Sequence, residues 1–302
     1  MFGFSNKPGG GISKEQAAKR NYFNIYGRHF GHITGANFWY TLTNLVFFVA
    51  AFILFKAYFI GENGDNFVAM SASLLSGSNV VIVPFVPFIP FMFIGPFTAG
   101  YTYLIRNYSK QEPTFLMSDF FEHTKRNWKQ ALIVSVLASV VAYLLIQALF
   151  FYNYFFIKHG LPLGVLYVLA AIVFALYIII MFYIYPIMVT FKMSLKVIIK
   201  NAWTFTVLKL PQNIIIFVFL LAVNVVALLF VPTFLYIALL PLFLTGFTSF
   251  TANYYIWHVM DKYIVQFVTP KRQNEAVFND DEYPDIDDDY TEEVVIEDEY
   301  LL

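Results

Sequence analysis

The sequence predicts an all-α, polytopic membrane protein with about six transmembrane helices. Of its 302 residues, 59% are hydrophobic and only 13% are charged, whereas about a quarter of the residues in soluble domains are charged. Several apolar runs reach the roughly 20 residues that a helix needs to cross a hydrocarbon core about 30 Å thick. Between these runs lie short basic segments, which we predict to be amphipathic helices in the membrane interface.

The composition changes at two places along the chain, which predicts three segments. Residues 1–30 form a polar cytoplasmic N-terminal segment with an amphipathic helix, residues 31–265 the six-helix transmembrane domain, and residues 266–302 an acidic, disordered cytoplasmic tail. The N-terminal segment lacks the apolar core of a secretory signal peptide, so the first spanning helix is expected to direct insertion. The chain has no cysteine, which excludes disulfides and thiolate metal sites.

The net charge of −1 conceals a basic body and an acidic end. Residues 275–302 carry 13 of the 20 acidic residues and no lysine or arginine, which leaves 19 basic against 7 acidic residues elsewhere. These basic residues flank apolar segments, so we predict that they contact a lipid bilayer with anionic headgroups and not nucleic acid.

Six apolar segments are predicted to cross the bilayer. In chain order they are Phe38–Ile60, Val80–Ile105, Ala131–Phe156, Leu161–Thr190, Asn213–Val231 and Phe234–Trp257. Only Pro232 and Thr233 separate the last two, so these form either a tight hairpin at the membrane face or one longer, broken segment.

The distribution of lysine and arginine predicts the orientation of these spans. Seventeen of the 19 basic residues lie in the N-terminal segment, in the second and fourth connections, and after the last span, whereas residues 61–79 contain none. Short loops rich in lysine and arginine stay on the cytoplasmic side. We therefore predict a multi-pass protein of the bacterial cytoplasmic membrane with both termini in the cytoplasm.

Three cytoplasmic segments have the pattern of interfacial helices. They are Ser13–Phe30, Ser118–Lys129 and the region of the fourth connection around Lys196. In the second segment, four residues are expected to face lipid: Phe120, Phe121, Thr124 and Trp128. The basic residues of the last two segments are candidate contacts of lipid headgroups or of a protein partner: Lys125, Arg126, Lys192, Lys196 and Lys200.

The second span begins with prolines at 84, 87 and 90. Proline removes an amide donor and disfavours helix before it, so this entry is expected to be extended or broken, with a regular helix starting near Pro90. Such backbone must be buried in protein or lie beside water. The candidate kink or helix-packing residues are Gly95, Pro96, Ala99 and Gly100.

Two interpretations of this broken span remain open. In the first, the span is a kinked helix that packs closely against its neighbours through its small residues. In the second, the positive N-terminal end of a broken helix points at a ligand near the middle of the membrane.

Several motifs resemble the YesL family of bacterial integral membrane proteins. They are Gly-Pro-x-Thr-Ala-Gly at residues 95–100, Ser-Asp-Phe-Phe at 118–121 and Lys-Arg-Asn-Trp-Lys-Gln-Ala at 125–131, with weaker similarity at 39–44, 185–186, 200–202 and Gly246. The resemblance covers roughly residues 30–265. It implies a polytopic protein associated with carbohydrate-uptake ABC transporter systems, and it supplies no catalytic residues.

The sequence offers no pattern typical of a catalytic or metal site. It lacks the Gly-x-x-x-x-Gly-Lys-Ser/Thr phosphate loop, so an ATPase would have to be a partner. His29 and His32 have no third ligand, and the carboxylates outside the tail fall at interface positions, so neither a metal site nor an acid–base pair is predicted. We expect neither catalysis nor a cofactor.

Polar amides in the spans are the remaining candidates for contacts inside the membrane: Asn44, Gln147 and Asn224. Such amides bridge helices more often than they bind substrates. The predicted function is a non-catalytic accessory or assembly component of a carbohydrate ABC transporter system that contacts its permease subunits. The alternative is a small transporter or channel for a neutral solute such as a sugar, because no charged residue is predicted deep in the bilayer.

Overall fold

The computed structural model describes residues 22–59, 83–159, 161–232 and 240–265, and these are almost entirely helical. A 3₁₀-helix, Val83–Phe93, precedes the second α-helix. The α-helices are α1 (Tyr22–Phe59), α2 (Gly95–Lys110), α3 (Leu116–Arg126), α4 (Trp128–His159), α5 (Leu161–Thr190), α6 (Leu195–Leu208), α7 (Leu210–Phe230) and α8 (Thr245–Met260). The π-helical turns Leu240–Leu244 and Asp261–Val265 flank α8.

Four of these helices, α1, α4, α5 and α7, are long and apolar enough to cross a membrane. The 3₁₀-helix and α2 meet at a bend of 52° and together make a fifth candidate span. The prediction of an all-α fold is therefore confirmed for the described residues, and four to five candidate spans support the prediction of a polytopic membrane protein. The sixth predicted span is not confirmed: residues 233–239 lie outside the described residues, and α8 has only 16 residues. The predicted tail at 266–302 and the connection at 61–79 also lie outside them.

Helix α1 is much longer than the first predicted span, Phe38–Ile60. It begins at Tyr22, so the described part of the predicted interfacial helix Ser13–Phe30 continues directly into the span. Aromatic packing explains the extension, because the ring of Tyr22 contacts the rings of Phe250 and Tyr254 on α8. The predicted segment boundary at residue 30 therefore falls inside a helix.

The proline-rich entry of the second span is broken, as predicted. Residues 83–93 form a 3₁₀-helix that contains Pro87 and Pro90, and the regular α-helix starts at Gly95, five residues later than expected. The Ser135 Oγ on α4 donates to the carbonyl of Met92 at 2.5 Å, next to the break. The irregular backbone thus finds its partner inside the protein, as a hydrocarbon environment requires.

Helix α2 is the centre of the bundle, because it contacts α1, α3, α4, α5 and α8. Eleven of its 16 residues are buried. Two cores lie around it. One joins α1, α2, α3 and α8 through Ile33, Leu104 and Phe120, and the other joins α4, α5, α6 and α8 through residues that include Ile187 and Ile198.

The prediction that Phe120 and Thr124 face lipid is wrong, because both side chains are buried. The reason is Gly100 on α2: its missing side chain leaves space for the Phe120 carbonyl and the Thr124 hydroxyl of α3. Helix α3 therefore packs its apolar face on α2, while Met117, Glu122 and its basic end remain exposed. In α6 the predicted pattern holds, since Ile198 and Ala202 are buried opposite exposed lysines.

Replacing Gly100 with alanine is expected to destabilise the protein. A Cβ at this position would collide with the Phe120 backbone, which cannot move without shifting α3, and such overpacking costs about 1–3 kcal/mol. Gly31→Ala is the matched control, because a Cβ there meets no atom within 4 Å and should be neutral or stabilising by about 0.5–1 kcal/mol. Thermal unfolding in detergent measures both; equal melting temperatures would contradict the close packing of α2 on α3.

Candidate functional site

A cavity of about 180 Å³ lies between α1, α2, α5 and α8. Helix α2 contributes Thr98, Tyr101 and Thr102 to its wall. Thr98 and Thr102 are four residues apart, which places both on the same side of the helix. The cavity therefore begins within the first two turns after the break in the second span.

Helix α8 supplies the opposite wall with Thr245, Ser249 and Asn253, again at four-residue intervals, and with Thr248. Asn253 is 8% exposed, and its Nδ2 donates to the Ser249 carbonyl at 2.8 Å. Its Oδ1 is buried and accepts no hydrogen bond from the described residues. A buried acceptor without a donor is costly, typically about 1–3 kcal/mol.

The remaining polar wall is held in place by a chain of contacts through α1. The hydroxyl of Tyr40 hydrogen-bonds the Thr98 Oγ1 at 3.1 Å, and the Tyr40 ring stacks on the Tyr101 ring with centroids 4.7 Å apart. The Tyr101 hydroxyl donates to the Asn37 Oδ1. The Asn37 Nδ2 in turn donates to the Leu242 carbonyl at 2.7 Å, in the π-helical turn before α8.

The lining of the cavity is uncharged and largely apolar, with polar groups from threonine, serine, tyrosine and asparagine side chains. It contains hydroxyls and an amide, and no aspartate, glutamate, lysine, arginine or histidine among the described residues that line it. Its volume is below the roughly 300–1,000 Å³ of sites for drug-sized ligands. The arrangement suits a small neutral molecule that both donates and accepts hydrogen bonds.

The three amides predicted from the sequence do not line this cavity. Asn44 lies one turn beyond Tyr40, and its Nδ2 donates to the Tyr40 carbonyl at 2.8 Å. Asn224 on α7 donates to the Thr248 Oγ1 at 3.2 Å and so joins α7 to α8 behind the cavity wall. Gln147 lies half-buried on α4.

The predicted kink and packing residues lie at the contacts of α2. Gly95 lies against the carbonyl of Ala131 and the side chain of Ser135 on α4, and Pro96 is the second residue of α2. Ala99 is fully buried in the core shared with α4 and α5, and Gly100 lies against α3. These close contacts agree with the first interpretation of the broken span, in which it packs against its neighbours through small residues. Thr98 also places the start of α2 beside a cavity, which agrees with the second interpretation, in which the start of a broken helix lies near a ligand.

The cavity was not predicted from the sequence, although the sequence contains a pattern that indicates its two polar walls. Two otherwise apolar segments each carry a polar row with a four-residue period: Thr98 and Thr102 in one, and Thr245, Ser249 and Asn253 in the other. Each row predicts a polar stripe on one side of a helix. That the two stripes meet depends on contacts between distant parts of the chain.

Arg106 directly follows the predicted second span, Val80–Ile105. The structure buries it, with 7% exposed. Its Nη1 donates to the Val189 carbonyl and the Thr190 Oγ1, both at 2.9 Å, and its Nε donates to the Asn107 Oδ1 at 2.9 Å. Val189 and Thr190 end α5, and the C-terminus of a helix favours a positive charge.

His123 on α3 lies in the same region. It is buried, and its ring stacks on the ring of Tyr103, whose centroid is 3.3 Å away. Burial, together with the smaller effect of the positive charges of Arg106 and Arg126, lowers the pKa of His123 to about 4. The imidazole is therefore neutral at pH 7 and packs beside the Arg106 charge without repelling it.

The basic residues predicted to contact headgroups or partners lie on two elbows that touch each other. Gln130, at the start of α4, donates to the Met193 carbonyl between α5 and α6 at 3.1 Å. We call the exposed basic residues of the two elbows the basic elbow surface: Lys125, Arg126, Lys129, Lys192, Lys196 and Lys200.

His29 and His32 lie together on α1, with ring centroids 6.2 Å apart, and both rings contact Tyr108. Within the described parts of the chain, no group of three or more histidine, aspartate or glutamate residues is arranged to hold a metal ion.

No family model, no curated protein and no solved structure matches the chain. The resemblance to the YesL family therefore stays a prediction from the motifs at residues 95–100, 118–121 and 125–131.

The lowered pKa of His123 predicts that the protein loses stability in acid. The unfolded state binds a proton below a pKa of about 6.5, whereas the folded state resists protonation until about pH 4. The contribution of His123 to the free energy of unfolding is therefore fully present above pH 6.5, and it is lost as the pH drops from 6.5 towards 4. Melting temperatures between pH 7 and 4.5 should fall less in His123→Phe, which keeps a ring against Tyr103.

His258→Phe is the control for this measurement, because His258 is exposed on α8. It should leave the acid slope of the wild type unchanged. An unchanged slope in His123→Phe would show that other groups account for the acid sensitivity.

Proposed function

We propose that this protein is a membrane carrier for a small, neutral, hydroxyl-bearing solute such as a sugar. The observation that carries the proposal is the uncharged, hydroxyl-lined cavity between α1, α2, α5 and α8. A cavity of this kind offers a hydroxyl-bearing solute hydrogen bonds that the hydrocarbon around the bundle cannot offer.

Asn253 gives the cavity a preference for solutes that donate a hydrogen bond. Its unpartnered Oδ1 accepts a hydrogen bond from a solute hydroxyl, which removes the cost of a buried, unpaired oxygen. The hydroxyls of Thr102 and Ser249 on facing walls can donate or accept. An ion would find no counter-charge in this lining, so the cavity favours neutral solutes.

The helices around the cavity are irregular where a carrier needs them to be. The 3₁₀-helix ends five residues before Thr98, and the π-helical turn Leu240–Leu244 directly precedes Thr245. Binding sites of many transporters lie beside such broken helices, and movement at the breaks exposes the site to alternate sides of the membrane. This position supports transport over a purely structural role for the cavity.

A second candidate function is a non-catalytic accessory or assembly component of a carbohydrate ABC transporter system. The basic elbow surface favours it, because six exposed basic residues on two touching elbows offer a docking site for an acidic partner such as a permease subunit. The resemblance to the YesL family supports the same function.

We propose further that the protein lies in a bacterial cytoplasmic membrane with both termini in the cytoplasm. The distribution of basic residues supports this orientation, since 17 of 19 fall in segments that it places inside. The basic elbow surface then faces the anionic headgroups of the cytoplasmic leaflet.

Purified protein in liposomes should take up a labelled neutral hexose or polyol in a saturable manner, and Asn253→Leu should weaken that uptake. Losing one hydrogen bond to the solute costs about 0.5–1.5 kcal/mol, so KM should rise by roughly threefold to tenfold. Initial uptake rates across solute concentrations give KM.

Asn44→Leu is the matched control for the uptake measurement. Asn44 is also buried and its Oδ1 also has no partner among the described residues, but it does not line the cavity. Its uptake should equal that of the wild type. Absence of saturable uptake, combined with recovery of transporter subunits on purification in mild detergent, would favour the accessory function instead.

Labelling of single cysteines should report the proposed orientation. The chain has no cysteine, so Ser71→Cys and Tyr290→Cys each introduce the only thiol. A membrane-impermeant maleimide added to intact bacterial cells should label Ser71→Cys but label Tyr290→Cys only after lysis. The opposite pattern would invert the orientation.

A further inference from the structure

The basic elbow surface is strongly one-sided in charge. Residues 192–209 contain four lysines and no acidic residue. Lys196 and Lys200 are exposed and lie one turn apart on α6, opposite the buried Ile198 and Ala202. The contact between Gln130 and Met193 adds the basic residues of the other elbow to the same region.

The chain leaves the described structure near the C-terminal end of α6. The centroid of the Tyr263 ring, two residues before the end of the described part, lies 4.8 Å from the Nζ of Lys209. The same ring lies next to Phe205 of α6, with centroids 6.4 Å apart. The C-terminal segment, which follows Val265, therefore starts near the C-terminal end of α6.

The sequence that follows complements the surface. Residues 275–302 carry 13 acidic residues and no basic ones, and Asp287, Asp288 and Asp289 form a continuous run. Asp287 lies 22 residues after Val265, and an extended chain of that length spans up to about 75 Å, whereas α6, with 14 residues, is about 21 Å long. The aspartate run is thus within reach of every lysine on α6.

We propose that the acidic tail, residues 275–302, binds the basic elbow surface of its own chain. The tether places the tail at a local concentration in the millimolar range. It then competes with anionic headgroups and acidic partners for the same lysines. The contact is electrostatic, so it weakens as salt rises. The proposal is independent of solute binding in the cavity, because no residue of the basic elbow surface lines it.

Disulfide trapping tests this contact directly, because the chain has no native cysteine. The pair Ile199→Cys and Tyr290→Cys places one thiol beside Lys200 and the other beside the aspartate run; Ile199 is 39% exposed. The full chain is placed in nanodiscs of neutral phosphatidylcholine, and the rate of disulfide formation under mild oxidation is measured. The expected product is an intramolecular disulfide in monomeric protein, formed more slowly at high salt.

Charge variants supply the decisive comparison. Adding Lys196→Gln and Lys200→Gln should slow trapping by roughly threefold to tenfold, as expected for the loss of two exposed ion pairs. Lys196→Arg with Lys200→Arg keeps the charges and should leave the rate unchanged. The proposal is overturned if salt and the glutamine variant leave the rate unchanged, or if only disulfide-linked dimers form.

Discussion

Hydrogen bonding of α2 inside an apolar bundle is the constraint on which the rest of the structure depends. Eleven of its 16 residues are buried, and they include Tyr101, Arg106 and Asn107. In hydrocarbon, each unpaired polar group costs several kcal/mol. Partners must therefore come from neighbouring helices: Asn37 on α1 for Tyr101, and the end of α5 for Arg106. These bonds fix where α1 and α5 lie around the central helix.

Small residues let the neighbouring helices come close enough to α2 for those bonds to form. Gly95 lies against α4 and Gly100 against α3, while Gly246 on α8 lies against Asn37. The first of these contacts also brings Ser135 to the free carbonyl of Met92, so the same glycine permits the break in the second span and the bond that stabilises it. Close packing and the hydrogen bonding of buried polar groups therefore depend on the same small residues in this bundle, as they do in membrane helices generally.

Local pattern was enough to predict the features that depend on neighbouring residues. The bounds of α5 agree with the predicted span Leu161–Thr190, and the prolines predicted the break before α2. The row of lysines on one side of α6 was also predicted, because these lysines recur every four residues. By contrast, the inward face of α3, the burial of Arg106 and the cavity wall on α8 depend on contacts between residues far apart in the chain. A phenylalanine such as Phe120 has the same hydrophobicity whether it meets lipid or Gly100, so composition alone cannot decide its environment.

The separation of charge from the cavity determines what each part of the bundle can recognise. Arg106 donates to the Val189 carbonyl at the end of α5 and to the Asn107 amide oxygen on α2, and the exposed lysines lie on the elbows. Among the described residues, only uncharged groups line the cavity. Its unpartnered acceptor, the Asn253 Oδ1, favours solutes that donate a hydrogen bond. Because salt screens exposed charges far more than buried dipoles, binding at the elbows should respond to ionic strength and solute binding in the cavity should not. The two activities that we propose are thus physically separable within one chain.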